Sequence, residues 1–147
     1  MNMTLAQWAD NGWLTPHTTS RGEIGNLLSI VERDLKDAES GISADWRFGI
    51  AYNAALKLCT ILLYTQGYRP SHGSHHYRTI TALPLILGEG KKQDAEYLNA
   101  CRMKRNKAEY DYAGVATDRD ADELLAFSKG FKDVVEEWLE QKHSDLA

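Results

Sequence analysis

With 147 residues, 43% of them hydrophobic and 26% charged, the chain has the size of one domain and is too short for two. A chain of this length buries about 70% of its unfolded surface, so its core needs neither disulfides nor a structural metal. A net charge of −4 argues against a protein that coats nucleic acid with its whole surface, but it is compatible with one basic patch. Cys59 and Cys101 stand far apart in apolar contexts with no C-x-x-C, which predicts buried thiols in a reducing compartment. The polar start carries no basic region leading into an apolar stretch, and no run approaches 18 apolar residues. Those features predict a cytoplasmic protein with no membrane partner.

The periodicity is helical almost throughout. Thr4 caps a short first helix over Leu5–Ala9, and Asn11-Gly12 turns the chain. Ser20-Arg21-Gly22-Glu23 has the spacing of a capping box, in which the serine and glutamate side chains satisfy each other's backbone donors. Beyond it Ile24, Leu27, Leu28, Val31 and Leu35 recur at three and four residues, leaving Glu32, Arg33, Lys36 and Asp37 to water, until Ser40-Gly41. Ser43 caps a long helix over Ala44–Thr65, apolar around most of its circumference and so expected in the middle of the fold, with Gly67 as its C-terminal glycine. Tyr68–Ser74 reads as a loop with Pro70 and Gly73. His75–Leu87 reads as a helix that Pro84 kinks or shortens, and Gly88-Glu89-Gly90 as a loop. A helix from Lys92 to Tyr112, stopped by Gly114, precedes a final one opened by Thr117, Asp118 and Asp120, whose acids suit the positive end of the helix dipole. Leu124, Leu125, Phe127, Phe131, Val134, Val135, Trp138 and Leu139 form its apolar stripe, and the residues after Lys142 are expected to fray. No strand-period segment of useful length is found. The expected fold is all-α: an antiparallel up-and-down bundle of four main helices plus a short N-terminal one, a single domain over residues 1–147.

Chemistry concentrates on the penultimate helix. Leu98, Cys101, Arg105, Ala108 and Tyr112 share one face, so Arg105 interrupts an apolar stripe and must either find a partner or open onto a cleft. Glu109, one turn on, can pair with it as a plain i,i+4 ion pair. The run 91–107 holds six basic residues (Lys91, Lys92, Arg102, Lys104, Arg105, Lys107) against two acids (Asp94, Glu96), which reads either as a solvated face or as a defined polyanion site. His72-Gly73-Ser74-His75-His76 reads as surface histidines, as a contribution of His75 and His76 to an active cleft, or as metal ligands. The last fits worst, because no cysteine or carboxylate lies near to complete a site. His17 and His143 are expected to be exposed. Trp46, Tyr52 and Tyr64 are expected in the core or an interface rather than as stacking platforms. No dinucleotide, P-loop, nucleophile-elbow, zinc-protease or EF-hand motif is present.

Arg102-Met103-Lys104-Arg105-Asn106-Lys107-Ala108-Glu109-Tyr110-Asp111-Tyr112 resembles the signature region of the HEPN family (higher eukaryotes and prokaryotes nucleotide-binding domain), and the helix order from Ser43 to Leu139 agrees with it. Members of that family are helical bundles, and many carry an Arg, often followed by a polar residue, then four to six residues and a His. Several are metal-independent ribonucleases of toxin or defence systems. Arg105 and Asn106 match the Arg-polar pair, Tyr110 stands where the His is expected, and Tyr112 matches a tyrosine that partner nucleotidyltransferases modify in some toxins. The resemblance implies RNA or nucleotide as ligand, a homodimer, an antitoxin or nucleotidyltransferase partner, and no cofactor or metal. By it Arg105, Asn106 and Tyr110 take the catalytic positions, with Arg102, Lys104, Glu109, Tyr112, His75 and His76 around the substrate. A phenol with its ordinary pKa of about 10 is a poor base at pH 7, so a ribonuclease on this pattern needs its base from elsewhere, as from His75 or His76. The competing reading is a non-catalytic helical interaction module in which the motif is a structural ion pair.

Overall fold

The computed structural model describes residues 3–72 and 75–147. It is an all-α bundle. Its main helices are α2 (Arg21–Asp37), α3 (Ala44–Thr65), α6 (Lys92–Tyr110) and α7 (Asp118–Lys142). The smaller elements are α1 (Leu5–Asp10), α4 (His75–Thr81), α5 (Leu83–Leu87), a 3-10 turn over Glu89–Lys91, and the strands β1 (Leu14–Pro16) and β2 (Tyr68–Pro70). Gly73 and Ser74, which fall in the expected loop, lie outside the described residues, as do Met1 and Asn2.

Helix starts follow the local chemistry of their caps. The Thr4, Ser20, Ser43 and Thr117 side chains each accept a hydrogen bond from the backbone N–H three residues on, and Thr4 with Gln7 and Thr117 with Asp120 complete reciprocal boxes. At Ser20 only half of the expected box forms. The Glu23 carboxylate instead accepts from Thr19 Oγ1 and meets His17 Nε2, both at 2.7 Å, and these partners hold its pKa below the usual range. His17 is consequently half-buried, its ring 4.3 Å from that of Tyr64.

Helix α3 is the hub. It is long and apolar enough, by length and composition, to cross a membrane, and here Phe48, Ala51, Tyr52, Ala54, Ala55, Leu58, Cys59, Ile61, Leu62 and Leu63 are buried within the bundle. Arg47 near its start pairs with Asp122 at 2.5 Å, and Ser128 Oγ donates to the Ala51 carbonyl at 3.2 Å, so α3 and α7 run in the same direction. The small residues along α3 let α7 approach closely, and α7 lays Ala121, Leu124, Leu125, Ser128, Phe131, Val135 and Leu139 against it. Helices α2 and α6 flank this pair and run opposite to it, as Lys132–Glu32 and Lys104–Asp120 contacts place them. Both cysteines are buried and free, and burial pushes the Cys59 thiol up to about 12 and Cys101 to about 11.

Several expectations are corrected. The segment read as a loop at Tyr68–Ser74 contains β2, which pairs antiparallel with β1 in the register Leu14↔Pro70, Thr15↔Arg69, Pro16↔Tyr68. Gly67 enters this ribbon at φ +85°, a left-handed conformation that glycine adopts cheaply. The helix expected over His75–Leu87 divides at Ala82, and Pro84 sits in the first turn of α5, where its missing N–H costs nothing. Residues after Lys142 do not simply fray: Leu146 packs on the core and the His143 ring lies 4.8 Å from that of Trp138. A second cluster of Trp8, Leu14, Leu63 and Ala82 joins the α1–β1 segment to the bundle, and the Arg78 guanidinium of α4 stands 3.6 Å above the Trp13 ring.

Candidate functional site

Helix α6 buries Ala95, Leu98 and Cys101, and the next position of that stripe is Arg105. Its Cγ lies 4.0 Å from where a Cβ on Gly49 of α3 would stand, so the arginine stem passes over this glycine at ordinary contact distance. The guanidinium sits 5.7 Å from the centre of the buried Tyr52 ring. Nε forms an ion pair with Glu109 Oε2 at 3.0 Å, and Nη1 donates to Asn106 Oδ1 at 3.4 Å. With its side chain 18% exposed, Arg105 is turned inward and forms the partition between two adjoining clefts, of about 620 and about 700 Å³.

The smaller cleft lies between α4 and α6. His75, His76 and Tyr77 line one wall, and Arg102, Arg105, Asn106, Tyr110 and the carboxylate of Asp111 the other. The bundle therefore brings the two histidines to the motif. Arg102 donates from Nε to Asn99 Oδ1 at 2.9 Å, stands 5.9 Å over the Tyr77 ring, and has no carboxylate partner among the described residues. The His75 and His76 rings meet edge-on at 4.4 Å, and Tyr52 Oη lies 3.4 Å from His76 Nδ1. Burial, then the charges of His75, Arg105, Arg102 and Lys57, push the His76 pKa down to about 4, so this imidazole is neutral at pH 7. Burial likewise raises Tyr52, which stays a phenol although Arg102 and Arg105 oppose the shift. Arg102 and Arg105 thus bring positive charge to the cleft and Asp111 a carboxylate, while His76 offers one hydrogen-bonding nitrogen without a charge. Among the described residues no group of three or more His, Cys, Asp or Glu side chains is arranged to hold a metal ion.

The larger cleft lies between the start of α3 and the end of α6. Glu109, Tyr110 and Tyr112 line it together with Trp46, Ile50 and Asn53 of α3. Tyr112 is not on the helical stripe as expected: α6 ends at Tyr110, and Tyr112 follows in a turn with its N–H bonded to the Lys107 carbonyl at 2.8 Å. Trp46, expected in the core or an interface, is 63% exposed.

Lys104 lines neither cleft. It points to α7, where Nζ bonds Asp120 Oδ2 at 3.1 Å, and Lys91 pairs with Asp94, so the basic run is divided among several faces. Tyr52, Gly49, Asn53, Trp46 and Tyr77 are site residues that sequence reading did not place there. A signal existed for two of them. Trp46 and Asn53, seven apart, lie on the narrow stripe of α3 that the core leaves uncovered. No family model matches this chain, and neither a curated protein nor a solved structure matches it.

Proposed function

We propose that this protein binds RNA, gripping the phosphodiester backbone in the cleft between α4 and α6, as its resemblance to HEPN proteins implies. The observation that carries this reading is the convergence of Arg102, Arg105, Asn106, His75 and His76 on one solvent-filled cavity, with Arg102 lacking an internal counter-ion among the described residues. A guanidinium presents planar, paired donors that match a phosphate, and a half-buried one meets its ligand at lower dielectric than a surface lysine. Asn106 and neutral His76 add uncharged hydrogen-bonding groups at the same wall.

The test is binding of a short single-stranded RNA to the wild type and to Arg102→Ala and Arg105→Ala over a salt series. Each substitution is expected to weaken binding about tenfold and to reduce the salt slope by about 0.7, the value for one phosphate contact on a single strand. Wild-type protein that fails to bind at low salt, or variants that match it, would overturn the reading. An imidazole beside a phosphate anchor can take the proton of a ribose 2′-hydroxyl, although one whose pKa is pushed down to about 4 is a weak base at pH 7, so the same mixtures are read for cleavage. Cleavage abolished by His76→Gln extends the function to a ribonuclease; binding without cleavage restricts it to recognition.

The Arg105–Glu109 pair at 3.0 Å favours a second reading, a helical interaction module in which the arginine is structural. That reading predicts a melting temperature that no RNA raises and a loss of stability in Arg105→Ala.

A further inference from the structure

The larger cleft differs in chemistry from the cationic one it adjoins. Its rim carries three of the most exposed aromatic side chains among the described residues: Trp46 at 63%, Tyr110 at 74% and Tyr112 at 67%. Aromatic rings of this size are normally covered, and a cluster left open marks a surface that meets a ligand. Apart from Arg105 in the partition, its charged groups are the acids Asp45, Glu109 and Asp111. Asp45 is committed to the fold, its carboxylate accepting from the Gly114 N–H at 2.5 Å and the Ala116 N–H at 2.9 Å, which pins the turn that closes the far wall. Glu109 is held by Arg105. Asn53 reaches the cleft from α3 and makes no hydrogen bond within the protein among the described residues, so an amide donor and an amide acceptor are both free.

This is a poor place for a phosphate and a good one for a flat, uncharged ring with polar edges. We propose that the larger cleft is a nucleobase pocket, taking one unpaired base of the RNA strand whose phosphate is held at Arg105. The inference rests on the RNA reading and adds the substrate class. Arg105 and Tyr110 line both clefts, so a backbone anchored on one side of that partition can send the attached base to the other. Stacking on Trp46 or Tyr112 needs a base with an open face, which a strand provides and a duplex hides. Asn53 can read the base edge through its two amide groups. The cavity, about 700 Å³, is within the range of small-molecule sites, about 300–1,000 Å³, and exceeds the needs of one base.

The experiment compares the full chain's affinity for a single-stranded oligoribonucleotide with its affinity for an abasic strand of the same length and charge. Wild-type protein is expected to prefer the base-bearing strand by about tenfold or more. Trp46→Ala and Tyr112→Ala are expected to remove most of that preference, Trp46→Phe to retain it, and none of the three to change abasic binding. Arg102→Ala should weaken both strands alike. Equal binding of the two strands by wild type, with Trp46→Ala altering neither, would overturn the base pocket while a persisting Arg102→Ala effect leaves phosphate recognition standing. Absence of binding to either strand overturns both. Light scattering on the same samples detects the competing occupant: a dimer that Trp46→Ala dissolves, with RNA affinities unchanged, assigns the aromatic face to a second copy and refutes the pocket. Both substituted aromatics are exposed, and thermal melts that match wild type show that the variants are folded.

Discussion

Helices α6 and α7 pack on the same partner, α3, and do so differently. Along α7 the buried stripe runs from Ala121 to Leu139 with no charged interruption. On α6 it stops at Cys101, and the position that should carry the next apolar side chain carries Arg105, received by Gly49 and roofed over Tyr52. The contrast separates two uses of a helix against one hub. A complete stripe fixes the helix along its length, whereas a stripe that breaks off lifts the end of the helix from the core and leaves space that solvent fills. In α6 the clefts begin where the apolar pattern ends.

That contrast can be broken at either helix. Leu124→Ala on α7 removes a fully buried side chain and should cost about 2–5 kcal/mol in chemical denaturation. Arg105→Ala on α6, which loses a half-exposed i,i+4 pair, should cost well under 1 kcal/mol while RNA affinity falls. Similar losses of stability at the two positions would show that the α6 stripe is structural to its end.

Acid should act next, on the α4 wall of the cleft that opens beside α6. In the fold His76 stays neutral down to about pH 4, facing His75 on its own helix, Arg102 and Arg105 on α6, and Lys57 and Tyr52 on α3, whereas the unfolded chain protonates it near its ordinary value of 6.5. Between those values the unfolded state binds the extra proton, so the stability contributed is complete above pH 6.5 and is lost as the pH falls toward 4. After allowance for solvent screening the effect is about 1 kcal/mol. The melting temperature of wild type should fall relative to that of His76→Gln between pH 7 and 4.5; curves that stay parallel would contradict the placement of the ring.

The smallest effect concerns the seat of the arginine. A Cβ at Gly49 would meet only Arg105 Cγ at 4.0 Å, an ordinary contact, and alanine is the better helix former by about 0.5–1 kcal/mol. Gly49→Ala should therefore raise stability by about that amount. A loss would mean that α6 needs the glycine for closer approach than the contact distance indicates.

Much of the fold was legible because its signals are local. The caps at Thr4, Ser20, Ser43 and Thr117 and the stop at Gly67 act within a few residues, and α2, α3 and α7 carry long periodic stripes. The β1–β2 ribbon was not legible: each strand is three residues long, each ends in proline, and the pairing joins segments separated by the whole of α2 and α3. The reciprocal half of the Ser20 box failed because a distant-facing competitor, His17, claims the Glu23 carboxylate. Within the site, Arg105 was marked by its break in the stripe, and the approach of His75 and His76 was one of several readings until tertiary packing brought α4 against α6. The direction of Lys104 could not be told from its place in a basic run, because the partner that captures it, Asp120, belongs to the start of another helix. Trp46 misled because a tryptophan favours burial on average, and here its turn of α3 overhangs an open cleft.

One wall of the arginine cleft hangs from the leading segment of the chain. Arg78 rests on the Trp13 ring three residues along α4 from His75, and Trp8 lies beneath with its ring centre 5.2 Å from the same guanidinium. The α1–β1 segment thus serves as a mooring for the histidine wall although it contributes no group to either cleft. Whatever slackens that mooring is expected to shift the histidine wall and with it the width of the cleft's mouth, so the proposed RNA affinity should respond to changes at Trp8 and Trp13.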